Sequence, residues 1–334
     1  MPRFEYLIPM KKLFIFLLCA AVAISGSSRK TVALVLGGGG AKGAAEVGVL
    51  KYIERSGVPI DMVVGTSIGS VVGGLYCAGY RADEMDRIFR SQEWIDLFSD
   101  GISMDNLLNE LVDNPMSVLE KMRGLFDLKS MLKEFGVVKG DSIVGFLDNL
   151  IKRAPYRVGE PPAFRAVAVD MKTMDEVLLR NNSESRDMAM NMRASMAIPL
   201  VFRPVQKDGM LLADGGVLNN LPVDVARAMG ADIVIAVDLT QTKHEDYEPP
   251  SGLMDKEWAQ KLLDRVPWVK WIMQRPDREK YGQNVKDADL YINPKLEDCS
   301  VTSFSKVDYM IAQGEKAGKK ALRKLKKIKK KAKK

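Results

Sequence analysis

The apolar positions of this chain fall into distinct patterns, and each pattern predicts a different element. Thr31 to Leu36, Ile60 to Val64 and Asp232 to Leu239 are short runs rich in β-branched and apolar residues. Runs of that length and composition predict strands buried on both faces of a parallel sheet. Between the first two, Val47, Leu50 and Ile53 mark a helical period from about Ala44, closed by Gly57-Val58-Pro59. Residues 31–64 thus predict a β-α-β unit with a right-handed crossover. From Ala82 to about Lys152 the pattern turns amphipathic and Met-rich, which predicts helices that either cover the core or form a lipid-facing cap. Further on, Phe164 to Met171 and Asp175 to Arg180 predict paired strands, and Met188 to Ile198 a helix stopped by Pro199. Val201 to Val205 and Met210 to Ala213 flank Lys207-Asp208-Gly209 as a hairpin. Helices are predicted from Leu221-Pro222-Val223, over Ala259 to Met273, and from Ser305 into a lysine-rich end, with a last strand over Asp289 to Ile292.

The breaks in these patterns carry the candidate chemistry. The second run delivers Gly65-Thr66-Ser67-Ile68-Gly69, a G-x-S-x-G elbow in which glycines on both sides let a strand turn sharply into a helix with the serine at the tip. The first run ends in Gly37-Gly38-Gly39-Gly40-Ala41-Lys42-Gly43. A phosphate-binding P-loop would need a lysine and a hydroxyl after Gly43, where Ala44 and Ala45 stand. A dinucleotide site matches Gly38, Gly40 and Gly43 but lacks an acid at the end of the next strand. The third reading is an oxyanion hole, in which backbone N–H groups converge and Lys42 adds charge nearby. Both loops belong to the same sheet edge, so this reading makes them one site.

A serine nucleophile needs a base, and the chain has a single histidine, His244, in the charged stretch Thr242 to Asp246. Asp214, at a strand end before Gly215 and Gly216, is the better-placed candidate.

Charge and composition change the picture at the two ends. Lys11 and Lys12 precede an apolar run from Leu13 to Ile24 that is short for a membrane span, which predicts a signal peptide and export to a periplasmic or extracellular space. The net charge of +7 is misleading, because eleven Lys and Arg and no acid lie in residues 319–334, leaving the remainder net negative. No second basic face argues for nucleic acid. Leu322, Leu325, Ile328 and Ala332 lie near one stripe among those cations, so Lys319 to Lys334 is either a solvated tail or an amphipathic helix at an anionic membrane surface. Cys77 and Cys299 would remain after cleavage, with Cys77 expected as a small buried hydrophobe.

These motifs resemble the patatin-like phospholipase family in its bacterial branch. Gly38-Gly39-Gly40-Ala41-Lys42-Gly43 is similar to its G-G-G-x-K/R-G loop, Gly65 to Gly69 to its serine elbow, and Asp214-Gly215-Gly216 to its D-G-G/A motif. Arg193-Ala194-Ser195 with Pro199, and Asn220-Leu221-Pro222, resemble further blocks, and the likeness is strong over residues 30–240. Glu46 departs from it, standing where many bacterial members have a histidine, with an expected effect only on the edge of the site. The resemblance implies a three-layer α/β/α sandwich with a mainly parallel central sheet. It also implies a Ser67–Asp214 dyad that cleaves acyl esters of lipids, in the manner of a phospholipase A or lysophospholipase, without metal or cofactor. The expected organisation is a signal peptide at 1–28, a domain at 30–318 with a helical cap at 82–152, and a basic amphipathic tail at 319–334. Acyl transfer, or lipid or nucleotide binding without turnover, are the competing readings.

Overall fold

Strand β1 (Val32–Leu36) is buried at all five positions, as its unbroken apolar run requires. A computed structural model describes residues 29–100, 138–154, 162–180, 184–199, 201–241 and 278–333. The expected signal peptide, residues 101–137 of the expected cap, His244 and the helix expected over 259–273 lie outside the described residues. From β1 the chain passes through a short 3-10 turn (Gly40–Gly43) into α1 (Ala44–Ser56), β2 (Met62–Thr66), α2 (Ile68–Cys77), α3 (Ala82–Ser91) and α4 (Trp94–Ser99). Then come α5 (Asp141–Lys152), β3 (Ala163–Asp170), β4 (Asp175–Arg180), α6 (Ser185–Ser195), β5 (Val205–Lys207), β6 (Met210–Asp214), α7 (Val223–Ala228) and β7 (Ile233–Val237). The last elements are α8 (Arg278–Asp287), β8 (Leu290–Ile292) and α9 (Val307–Ala332).

One sheet holds all the strands among the described residues, with bonded neighbours in the order β5-β6-β3-β2-β1-β7-β8 and β4 also paired to β3. The pairs β1/β2, β1/β7, β2/β3 and β7/β8 are parallel, and only the β4 and β5/β6 additions are antiparallel. Alternate residues of β1 enter different cores. Val32, Leu34 and Leu36 pack with α1, α2, α6 and α9, whereas Ala33 and Val35 pack with α7 and α8. A strand covered on both faces has no polar side to show, which is why its sequence does not alternate. The fold is a three-layer α/β/α sandwich with a mainly parallel central sheet.

Two boundaries shift for reasons visible in the packing. The hairpin turns at Asp208 and Gly209, with φ 50° and 77°, the positive pair of a type I′ turn. Its first arm starts at Val205 and not at Val201, because Val201 and Arg203 bond instead to Val138 on either side of a bridge to Phe202. Helix α6 stops at Ser195, short of Ile198, and Ala197 O just beyond it accepts the N–H of Asp214.

The largest departure is at the basic end. Residues 319–332 continue α9 without a break, and Leu325 and Ala332 are fully buried, with Ile328 8% exposed. The stripe expected to be solvated or to seek a lipid surface is turned inward onto the domain. Helices α1 and α9 cross so closely that a Cβ on Gly48 would strike the carbonyl of Ile311, and one on Gly314 the carbonyl of Ala45. Among the described residues, no helix is long and apolar enough to cross a membrane. Cys77 and Cys299 are both buried and free.

Candidate active site

Strand β2 delivers Ser67 into a reversal with φ 54° and ψ −127°. Such a backbone costs an L-residue on the order of 1–3 kcal/mol and persists only where its surroundings fix it. Glycines make the fit possible: a Cβ on Gly65 would strike the carbonyl of Gly69, and one on Gly69 the carbonyl of Leu36. Helix α2 therefore starts immediately at Ile68, with its first-turn N–H groups beside the serine.

The sheet register brings Asp214 to the same place. Strand β3 has two edges, and β4 occupies one of them along residues 165–170. On the other, β2 pairs as far as Thr66 opposite Val167, and β6 takes over with Asp214 opposite Ala168. Parallel β2 and antiparallel β6 thus meet end to end, and the residue after Thr66 faces the last residue of β6. Ser67 and Asp214 are each 5% exposed. The Ser67 hydroxyl neighbours the Asp214 carboxylate and favours its charged form, and the Gly216 N–H donates to Asp214 Oδ1 at 2.7 Å. Burial is the largest influence on this carboxyl and pushes its pKa from 3.8 up to about 6, against the Ser67 hydroxyl and the Gly216 N–H, which favour the charged form. Gly215 packs against the carbonyl of Val167, which leaves no room for a Cβ.

The glycine loop completes the arrangement. Gly37 N–H donates to Val237 O at 3.0 Å, Gly38 N–H to Asn220 O at 3.1 Å, and Ala41 N–H to Val301 O at 2.8 Å. Between these anchors the N–H groups of Gly39 and Gly40 have no hydrogen-bond partner among the described residues. The residues expected to form an oxyanion hole are thereby divided. Gly39 and Gly40 keep free donors. Gly38, whose own donor is occupied, is the close-approach residue, since a Cβ there would come within 3.1 Å of Ser67 Cβ. Gly43 makes room for the Ile68 side chain. Lys42 is half-buried, and burial lowers its pKa against the influence of Cys299 and Asp238. It does not line the cleft over Ser67.

That cleft, of about 160 Å³, is apolar and bordered by Gly40, Ile68, Phe98, Phe202, Val301 and Phe304. The Phe98 ring centroid lies 5.2 Å from that of Phe304 and 6.4 Å from that of Phe202. Val301 is 50% exposed and Ile198 38%, so the rim is apolar too. Behind Phe202, the buried Arg193 guanidinium sits 4.6 Å from the ring centroid and donates to the carbonyls of Lys139 and Arg203. Val301 and Phe304 escape sequence reasoning because they lie outside any periodic pattern, and Phe202 because it reads only as part of an expected strand. Asn220, whose amide donates to Gly38 O at 3.2 Å, had one signal, its place in the Asn220-Leu221-Pro222 block. Glu46, expected at the site's edge, is instead fully buried in the first turn of α1, where burial first and Asp238 second raise its pKa well above 4.5.

A hydroxyl on a fixed turn, an adjacent carboxyl that titrates near neutrality, and unoccupied N–H donors in the neighbouring loop are the parts of a nucleophilic acyl-transfer site. The patatin-like phospholipase family model matches residues 34–227, more than half of the chain. The chain is 31% identical over 304 residues to patatin-like phospholipase domain-containing protein 6 of Mus musculus, covering 86% of this chain and 20% of that protein. It therefore spans about a fifth of that relative's length. It is 32% identical over 263 residues to an NTE family protein of Mycobacterium bovis, covering 74% of this chain and 64% of that protein. Among solved structures it is similar to VipD from Legionella pneumophila, with 15% identity and a TM-score of 0.48 over 89% of this chain and 67% of that one. The chain belongs to the patatin-like phospholipase family.

Proposed function

We propose that this protein hydrolyses acyl ester bonds of phospholipids or lysophospholipids through a Ser67–Asp214 dyad and an acyl-Ser67 intermediate. One observation supports this above the others: the sheet register sets a serine in a left-handed elbow beside a buried carboxylate whose pKa is lifted to about 6. An aspartate with an ordinary pKa is a poor proton acceptor, and burial makes it a better one. In the first half-reaction Ser67 Oγ bonds to the ester carbonyl carbon while its proton passes to Asp214. The resulting oxyanion accepts hydrogen bonds from the Gly39 and Gly40 N–H groups. The C–O bond to the alcohol then breaks, and Asp214 returns the proton to the departing oxygen. In the second half a water gives its proton to Asp214 and attacks the acyl carbon, and Ser67 leaves carrying that proton. Lipid esters suit the site because the cleft over Ser67 and its rim at Val301 and Ile198 are apolar.

Mass spectrometry after exposure to a fluorophosphonate probe tests this reading. The peptide containing Ser67 should gain one phosphonyl group, and Ser67→Ala should gain none. A folded wild-type protein left unmodified, or modified only elsewhere, would overturn it.

A further inference from the structure

The backbone N–H of Ser67 finds its partner outside both β2 and α2. It donates to Ser195 Oγ at 3.0 Å, and that hydroxyl donates onward to Val167 O at 2.6 Å. Ser195 is 0% exposed. A serine inside a helix commonly returns its hydroxyl to a carbonyl of the preceding turn. This one leaves α6 and links the elbow to β3. Val167 is the β3 residue paired with Thr66, and its carbonyl is the same atom that Gly215 packs against. Two residues beyond Ser195, Ala197 O accepts the N–H of Asp214 at 2.9 Å. One three-residue segment at the end of α6 therefore holds the backbone amides of both Ser67 and Asp214. The segment has a fixed base, because Arg193, just before it, is clamped by the carbonyls of Lys139 and Arg203.

We propose that residues 195–197 form a clamp that sets the Ser67–Asp214 geometry, with Ser195 as the positioning residue. The proposal rests on the dyad reading above. Ser195 touches neither substrate nor reacting atoms. Its hydroxyl accepts from the elbow and donates to the strand at once, which alanine cannot do and cysteine does poorly, whereas threonine retains both roles. Misplacement of a reacting group by about 1 Å can cost on the order of 10²-fold in rate. The effect belongs in kcat, because the cleft that binds the acyl chain is left intact.

The test compares the wild-type protein with Ser195→Ala, Ser195→Cys and Ser195→Thr on a soluble acyl ester across pH, with folding followed by circular dichroism. Ser195→Ala should lose on the order of 10²-fold in kcat with KM changed less than about threefold, and Ser195→Thr should recover most of that loss. The neighbouring Ser67 hydroxyl favours the charged form of Asp214. Loosening the elbow should therefore move the acid limb of kcat/KM to higher pH, which general destabilisation would not do. Should Ser195→Ala fail to fold, the nearly isosteric Ser195→Cys carries the same expectation. A folded Ser195→Ala or Ser195→Cys with wild-type kcat and an unmoved acid limb overturns the clamp and leaves the dyad standing. A wild-type protein that neither turns over ester nor labels at Ser67 removes the dyad and the clamp together.

Discussion

Asp214 must be ionised to accept the Ser67 proton, so the burial that lifts its pKa to about 6 sets the acid limit of the proposed reaction. Below that value the carboxyl already carries a proton, and above it the base is present. We predict that kcat/KM on a soluble ester falls about tenfold per unit as pH drops below about 6 and is level through neutrality. A level profile across the same range would contradict Asp214 as the base. For stability the sign is opposite. A carboxyl whose folded pKa is raised contributes stability in full below about 3.8 and loses it as pH rises through about 6. At neutral pH the reaction uses the form of Asp214 that folding disfavours, and Glu46 is shifted in the same direction. Ser67 and Asp214 were legible in the sequence because glycine spacing and the scarcity of histidine both constrain local chemistry. The burial of Glu46 was not, since a glutamate in a first helical turn looks the same whether it faces water or a neighbouring layer. Ser195 had one signal, its place in the Arg193-Ala194-Ser195 block, which does not show that its partners lie on two other elements.

Helix α9 shows the limits of pattern at the scale of elements. The buried strands of the parallel sheet were readable because both faces are covered, so length and β-branching alone identify them. An amphipathic helix states that one face wants an apolar partner and does not say which partner. The stripe of Leu325, Ile328 and Ala332 meets the domain itself, across the close crossing at Gly48 and Gly314. Burying a leucine or isoleucine contributes about 1.5–3 kcal/mol each, a large share of the roughly 5–15 kcal/mol that holds a domain folded. Removing residues 319–334 should therefore lower the melting temperature steeply or prevent folding, as read by calorimetry. A truncated protein melting with the full chain would mean that the helix end is not part of the fold.

At the scale of the whole molecule, α9 also sets where charge lies relative to chemistry. Phe304, just before the helix, borders the cleft over Ser67. Ala332 O at the far end accepts the N–H of Lys30 at 3.1 Å, below the start of β1. A helix of 26 residues is about 39 Å long, so the cation-rich half points away from the site. With the apolar stripe buried, the contact with anionic lipid that is one expectation for Lys319 to Lys334 becomes one of charge alone. Binding to anionic vesicles should then weaken as salt rises, and also on changing Lys320, Lys324 and Lys327 to Glu, while soluble ester hydrolysis stays unchanged. Vesicle binding indifferent to both would contradict the contact.

In the proposed reaction an aspartate does the work of a histidine. The most direct measurement is the rate of soluble-ester hydrolysis by Asp214→Asn beside that of His244→Ala, the variant lacking the chain's only histidine. With both proteins folded by circular dichroism, Asp214→Asn should lose on the order of 10³-fold or more and His244→Ala should retain most of the wild-type rate. An Asp214→Asn protein that keeps its activity, or a His244→Ala protein that loses it, would contradict the dyad.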